Sequence, residues 1–171
     1  MPPQRVVAVA FLHEDSTSMR KWTSALFAFV ALIVVAATAG ASSKGTPDEA
    51  KALVDRAITA IKSDGKDKSF AAFNSATGGY VDRDLYVFVY DLAGTVISHG
   101  GNNALIGKSL VNLKDADGKL FVQEFVSVAK GKGEGWVDYK WVNPTTKKVE
   151  AKTSFIKRHG DMLVGVGVYK G

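Results

Sequence analysis

The sequence contains no cysteine, which excludes a disulfide framework, a thiolate nucleophile and any cysteine-ligated zinc or iron–sulfur centre. Its three histidines, His13, His99 and His159, stand apart from one another, and neither G-x-S-x-G nor H-E-x-x-H occurs. No local motif therefore assembles a nucleophile with its base, a carboxylate pair or a metal cluster, and the chain reads as a non-enzyme with no cofactor. Charge of one sign is nowhere concentrated: 22 Lys and Arg against 17 Asp and Glu give +5, scattered without a long run. A nucleic-acid binder gathers its basic residues on one stripe, so no nucleic acid is expected as a partner. Asp115-Ala116-Asp117-Gly118 is too short for an EF-hand loop and lacks its closing glutamate, so it reads as a turn. Gly131-Lys132-Gly133-Glu134-Gly135 leads into a strand, whereas phosphate cradles lead into helices, so it reads as a flexible connection.

At 171 residues the chain has room for one domain and some extra sequence. Met19-Arg20-Lys21 precedes the apolar run from Ala25 to Ala37, and Ala39-Gly40-Ala41 follows it. A basic start, an apolar middle and an A-x-A site are the three parts of a secretory signal peptide. A membrane anchor over residues 22–39 is the competing reading, since that stretch is long enough to span a bilayer. The small-residue tripeptide stands where signal peptidase needs it and favours cleavage. Residues 1–18 fit neither reading and are taken as a mis-called start ahead of Met19, residues 19–41 as the signal peptide, and residues 42–171 as a single exported, periplasmic domain.

In that domain, Thr46-Pro47-Asp48-Glu49 offers a capping hydroxyl, a proline at the first helical position and acids in the first turn, so a helix starts here. Ala50, Leu53, Val54, Ala57, Ile58 and Ile61 recur at helical spacing up to Gly65. A short second helix covers Ser69 to Phe73. From Leu85 the period changes to two: Leu85 to Tyr90 and Thr95 to His99 read as a β-hairpin across Asp91-Leu92-Ala93-Gly94. A helix follows from Leu120 to Lys130, then strands Trp136 to Val142, Val149 to Arg158 and Met162 to Tyr169. Five strands in two adjacent groups, without βαβ alternation, imply an α+β fold. Its five-stranded antiparallel sheet carries the N-terminal helices on one face, with one helix inserted between strands two and three, a PAS-like architecture.

Several motifs occur in an order that resembles a known family. They are Asp84 to Asp91 with Gly94, Ser98-His99-Gly100, Leu105-Ile106-Gly107-Lys108, Asp115 to Lys119, Gly135 to Trp141, Asn143-Pro144, Lys152 and Gly165 to Tyr169. Together they resemble single Cache domains of type 2, from about Pro47 to Tyr169. The resemblance implies an extracytoplasmic sensor of PAS-like fold that binds a small molecule such as a short carboxylate, in concert with a membrane-bound signalling partner. No second transmembrane helix and no cytoplasmic signalling domain follow Gly171 in the sequence, so direct signalling across the membrane is not expected of this chain itself.

Strand alternation places Tyr86, Phe88 and Tyr90 on one face and Leu85, Val87 and Val89 on the other. The aliphatic face suits the N-terminal helices. The aromatic face then lines the ligand site, with Tyr139 and Trp141 on the third strand and Lys152 and Ser154 on the fourth. Lys152 is the candidate for a ligand carboxylate, because a cation on a central strand either pairs or reaches solvent; an ordinary exposed lysine is the other reading. His99 stands at the strand end as a possible donor, or as a structural histidine. Tyr86, Phe88, Tyr139 and Trp141 serve as pocket wall or as core. An exported domain that binds a partner protein instead of a metabolite is the alternative function, favoured by an exposed apolar patch rather than an enclosed pocket.

Overall fold

The structure is a computed structural model and describes residues 44–170. The apolar segment, its cleavage site and the proposed start at Met19 lie outside the described residues.

Helix α1 spans Pro47–Asp64. Its start is a reciprocal cap: the Glu49 N–H donates to the Thr46 hydroxyl at 3.3 Å, and the Thr46 N–H donates to the Glu49 carboxylate at 2.8 Å. All six residues of the expected stripe are buried, and Gly65, at φ 84°, ends the helix. The same glycine opens α2, Lys66–Phe73, which therefore starts three residues ahead of the expected Ser69.

The strands are β1, Val81–Asp82; β2, Leu85–Asp91; β3, Val96–His99; β4, Glu134–Val142; β5, Val149–His159; and β6, Met162–Tyr169, with α3, Phe121–Lys130, between β3 and β4. The sheet is antiparallel throughout and runs β1-β2-β6-β5-β4, with β3 also paired to β2. It thus has six strands, not five: the added β1 is a two-residue strand closing a tight hairpin onto Leu85 and Tyr86. The last strand in sequence lies between β2 and β5 and is buried at every position from Met162 to Tyr169.

Helices cover both faces: the N-terminal helices lie on one, as expected, and α3 on the other. Leu85, Val87, Val89, Val164, Val166 and Val168 pack with α1 and Phe73 of α2 in one aliphatic cluster. Tyr86, Phe88, Tyr90, Tyr139 and Ile156 pack with Phe121, Val122 and Phe125 of α3 in another. The Gly131–Gly135 connection is pinned rather than flexible: Gly133 donates its N–H to the Val128 carbonyl at 3.0 Å and accepts from the Arg158 N–H at 2.7 Å. The Asp115 loop is a turn, as its sequence implied, and its carboxylate accepts from the N–H groups of Asp117, Lys119 and Lys140.

Candidate functional site

The second face holds polar groups that a plain core would not. Lys152, His99 and Ser154 are 1%, 3% and 0% exposed and share this face with the aromatic residues. Lys152 is therefore not an ordinary exposed strand lysine. Its burial is made possible by β6, where glycine and valine alternate. Val164, Val166 and Val168 point to α1, while Gly165 and Gly167 point to the site. A Cβ on Gly167 would collide with Ser154 Oγ and Lys152 Cε, and one on Gly165 with the Phe88 ring. The missing side chains are the space that the lysine stem and the phenyl ring occupy.

Lys152 Nζ donates to the Tyr86 hydroxyl at 2.8 Å. It sits 3.9 Å from the centre of the Tyr86 ring and 4.7 Å from that of Tyr169, close enough for cation–π attraction. The Tyr169 hydroxyl donates to the Val142 carbonyl at 2.7 Å, so at the 3.4 Å contact between the two hydroxyls Tyr86 is the donor. A directed chain thus runs from Lys152 through Tyr86 and Tyr169 to Val142. An ammonium carries three hydrogens, and the chain accepts one of them. Beside it, Tyr139 and Ser154 share a hydrogen bond at 2.9 Å.

His99 closes the site from β3. Its ring lies 5.1 Å from Tyr86, 6.1 Å from Phe88 and 6.4 Å from Trp141, centre to centre. The Asn102 N–H donates to His99 Nδ1 at 3.0 Å, so the neutral ring carries its hydrogen on Nε2. Asn74, at the end of α2, accepts from the His99 N–H at 2.9 Å and from Ser98 Oγ at 2.7 Å, and fixes the strand end.

Burial controls the titration of these groups. It pushes the Lys152 amine well below the usual lysine range, against a smaller pull upward from Asp84. It lowers His99 to about 3, and the positive charge of Lys152 adds to that fall. It raises the Tyr86 and Tyr139 phenols. Each shift is the desolvation cost of the charged form.

A cavity of about 320 Å³ opens outside Tyr86 and Trp141, with Gly101, Asn102, Leu105 and the β4–β5 hairpin residues Val142, Pro144 and Lys147 around it. Of the expected site residues, Tyr86 and Trp141 line this space. Phe88, His99, Tyr139, Lys152 and Ser154 do not line it and belong to the buried cluster behind. Gly101 lies against the Tyr86 ring, where a Cβ would come within 2.8 Å of it. A second hollow, of about 380 Å³, is bounded by Glu49, Arg56, Arg83 and Leu85 and contains none of these residues. Its charges already engage one another, as in the Arg83–Glu49 pair at 2.9 Å. Sequence reasoning missed Tyr169, Asp84, Asn74, Phe121 and Phe125. Only Tyr169 had a local signal, its period-two alignment with Gly165 and Gly167.

Among the described residues no group of three or more His, Asp or Glu could hold a metal ion, and no helix is long and apolar enough to cross a membrane. The family profile described as Single Cache domain 2 matches residues 20–171. The sensor histidine kinase MctS of Rhizobium johnstonii is 37% identical over 91 residues, 51% of this chain and 19% of that protein. The methyl-accepting chemotaxis protein McpP of Pseudomonas putida is 33% identical over 90 residues, 52% of this chain and 16% of that protein. The chain therefore matches under a fifth of the length of either relative. Among solved structures, a periplasmic sensor domain of a chemotaxis protein aligns with a TM-score of 0.59 and 27% identity over 72% of this chain and 90% of that one. A methyl-accepting chemotaxis protein from Vibrio parahaemolyticus aligns with a TM-score of 0.62 and 26% identity over 71% and 86%. With its PAS-like sheet, its two unlike faces and a family match over nearly all of its length, the chain belongs to the single Cache domain 2 family.

Proposed function

We propose that this domain is an extracytoplasmic sensor that binds a short organic acid, with the ligand carboxylate against Lys152. The observation that carries this reading is the buried Lys152 amine, which has the Tyr86 hydroxyl as its one hydrogen-bond partner among the described residues and whose charged form burial disfavours until an anion pairs with it. A cation in that setting favours an anion that accepts its remaining hydrogens. His99 Nε2–H, accepted by no described residue, supplies a second donor, and Tyr86, Phe88, Tyr139 and Trp141 supply aromatic walls suited to a small apolar tail. Ser154 orients Tyr139. A Cache chemosensory domain described as a structural basis for carboxylic acid recognition has the same fold, with a TM-score of 0.58 and 23% identity over 72% of this chain and 88% of that one.

In this reading, residues 19–41 direct export to the periplasm and are cleaved after Ala41, with translation starting at Met19. The relatives are sensor and chemoreceptor proteins of far greater length, which supports a membrane-bound signalling partner as the recipient of the ligand signal.

Titration calorimetry of the exported protein with acetate, propionate and pyruvate, against propionamide as a neutral control, tests the assignment. The acids are expected to bind and the amide not. Lys152→Met, which keeps the apolar stem, is expected to weaken binding by at least about tenfold, equivalent to about 1.4 kcal/mol. The loss should be similar at low and moderate salt, because a buried pair is weakly screened. Equal affinity in the two proteins removes Lys152 from the site.

A further inference from the structure

Three hydrogen bonds that shape the site converge on one asparagine outside it. Asn74 follows α2 and caps it, its N–H donating to the Phe70 carbonyl at 3.0 Å. Its side-chain oxygen accepts from the His99 N–H at 2.9 Å and from Ser98 Oγ at 2.7 Å, and its backbone carbonyl accepts from Asn103 Nδ2 at 3.0 Å. The end of α2 lies close against the end of β3: a Cβ on Gly100 would come within 2.7 Å of the Phe73 carbonyl. Phe73 itself is 0% exposed and packs edge-on against Tyr80, ring centres 4.5 Å apart, so Asn74 stands on a close-packed base.

His99 depends on such a base because its ring contacts do not orient it. The imidazole has Tyr86, Phe88 and Trp141 as aromatic neighbours. A half-turn about its Cβ–Cγ bond exchanges nitrogen for carbon at the ring positions, and apolar contacts are nearly indifferent to that exchange. A directed hydrogen bond is not. The Asn102 N–H donates to Nδ1 at 3.0 Å, and among the described residues this bond alone selects the ring orientation and leaves the hydrogen on Nε2. Its donor belongs to the loop at residues 100–105, in which Gly101, Asn102 and Leu105 line the cavity of about 320 Å³. Residues 101–104 are exposed, and Asn103, next to that donor, is tied to Asn74. One residue thus holds the His99 backbone, the Ser98 hydroxyl and the loop that supplies the Nδ1 donor.

We infer that Asn74 is a positioning residue of the binding site: it fixes His99 and the cavity-lining loop as one unit, and so presents the His99 Nε2–H to the ligand carboxylate. This rests on the reading of that cluster as a carboxylate site. Asn74 acts at one remove. Its side-chain oxygen holds the strand end, its carbonyl holds the loop, and the loop N–H selects the tautomer that donates. Without the Nδ1 bond the ring is free to flip or to carry its hydrogen on Nδ1. The site then offers a carboxylate a lone pair in place of a donor, which repels it.

Long-range proton–nitrogen NMR of the exported protein at neutral pH reports which ring nitrogen carries the hydrogen, without any ligand. His99 is neutral there, since burial lowers it to about 3, and its signals are those absent from His99→Gln. The wild type is expected to show the Nε2–H form alone. Asn74→Ala should show both forms and bind propionate about fivefold or more weakly in calorimetry. Asn74→Asp keeps the accepting oxygen and should restore the single form, while Ser98→Ala, which spares the His99 N–H bond, should not disturb it. An unchanged tautomer in Asn74→Ala overturns the proposal whatever the affinity, and so does full affinity with both forms present. If acetate, propionate and pyruvate do not bind the wild type, the carboxylate reading fails, while the ligand-free spectra still decide whether Asn74 sets the ring. Should Asn74→Ala not fold, Asn103→Ala, an exposed change, frees the loop from the Asn74 carbonyl. Exchange of the Asn102 N–H about threefold or more faster, relative to Val166 in β6, then supports the proposal, and unchanged exchange overturns it.

Discussion

On one face of the sheet, α1 and α2 bury Leu53, Val54, Ile58 and Phe73 against a row of valines, and that cluster is wholly apolar. On the other face the same strands, read at the alternate residues, bury four tyrosines, a lysine, a histidine and a serine. The difference is not one of depth, since Val87 and Ser154 are both 0% exposed. It lies in what the neighbours supply. Valine on valine gains from leaving water, about 1.5–3 kcal/mol for each fully buried aliphatic side chain. A buried amine or imidazole loses hydration and recovers it only where a partner is in place. The first face is thus expected to carry the stability of the domain, and the second to hold groups kept at some cost to it.

The largest test of this contrast is Leu53→Ala, on the aliphatic side. Leu53 is 7% exposed within the α1 cluster, so its truncation should lower unfolding stability by about 2–5 kcal/mol in urea titration. A loss below about half a kcal/mol would show that α1 is not the foundation of the fold. Gly167→Ala comes next and acts from within β6 on the other side. The added methyl has to displace Ser154 Oγ and the Lys152 stem, with the Thr153 carbonyl also at 2.9 Å, and overpacking of this kind costs about 1–3 kcal/mol. Unlike Leu53→Ala, it should also remove carboxylate binding, since it moves the lysine itself. A variant that stays stable and binds normally would mean that the glycine does not make room for Lys152.

A third difference appears on acidification, because the aliphatic cluster contains no titratable group. His99 is lowered to about 3 in the folded state, first by burial and then by Lys152, against an unfolded value of about 6.5. The unfolded chain therefore binds more protons between those values. The resulting stability is fully present above pH about 6.5 and is lost as pH falls toward about 3, with a slope of at most about 1.4 kcal/mol per unit. His99→Gln is expected to flatten the profile in this window. The same steepness in wild type and variant would assign the acid transition to another group. Lys152, also lowered, acts in the same sense on the alkaline side: stability rises with pH from its folded value up to the unfolded lysine value near 10.4.

How far the sequence reached follows from the range of its signals. The α1 cap and stripe are local, within four residues at a time, and the helix begins and ends as expected. The alternation in Leu85 to Tyr90 correctly divided the aliphatic from the aromatic face. Helical periodicity shows that a stripe is buried but not which side of a sheet receives it, so the side on which α3 lies was legible through the PAS-like resemblance and not from its own stripe. β1 has two residues, too few to display a period. The site residues converged because alternation applies equally to Tyr139, Trp141, Lys152 and Ser154. That Lys152 is buried depends on Gly167, its diagonal neighbour on the adjacent strand through the Ser154–Gly167 pairing, and so on a register that no single strand records. Asn74 reaches His99 from 25 residues away, and Asp84 reaches Gly45 from 39; neither spacing has a motif.

The smallest effect asks whether the polar face contributes to stability at all or only tolerates its groups. Tyr139 and Ser154 donate and accept at 2.9 Å with both residues buried. Tyr139→Phe leaves the ring stack on Phe121, whose planes are 4.6 Å apart at their centres and 7° from parallel, but strands the serine hydroxyl. Removing one partner of a buried hydrogen bond typically costs about 0.5–1.5 kcal/mol net, and Ser154→Ala should cost a similar amount. If the two act as one unit, the double variant should lose little more than either single one, a coupling of about 0.5–1 kcal/mol in a double-mutant cycle. Simple additivity would instead mean that each hydroxyl finds another partner when its neighbour is gone. The Tyr139–Ser154 pair would then be part of an adaptable binding surface rather than a fixed element of the fold.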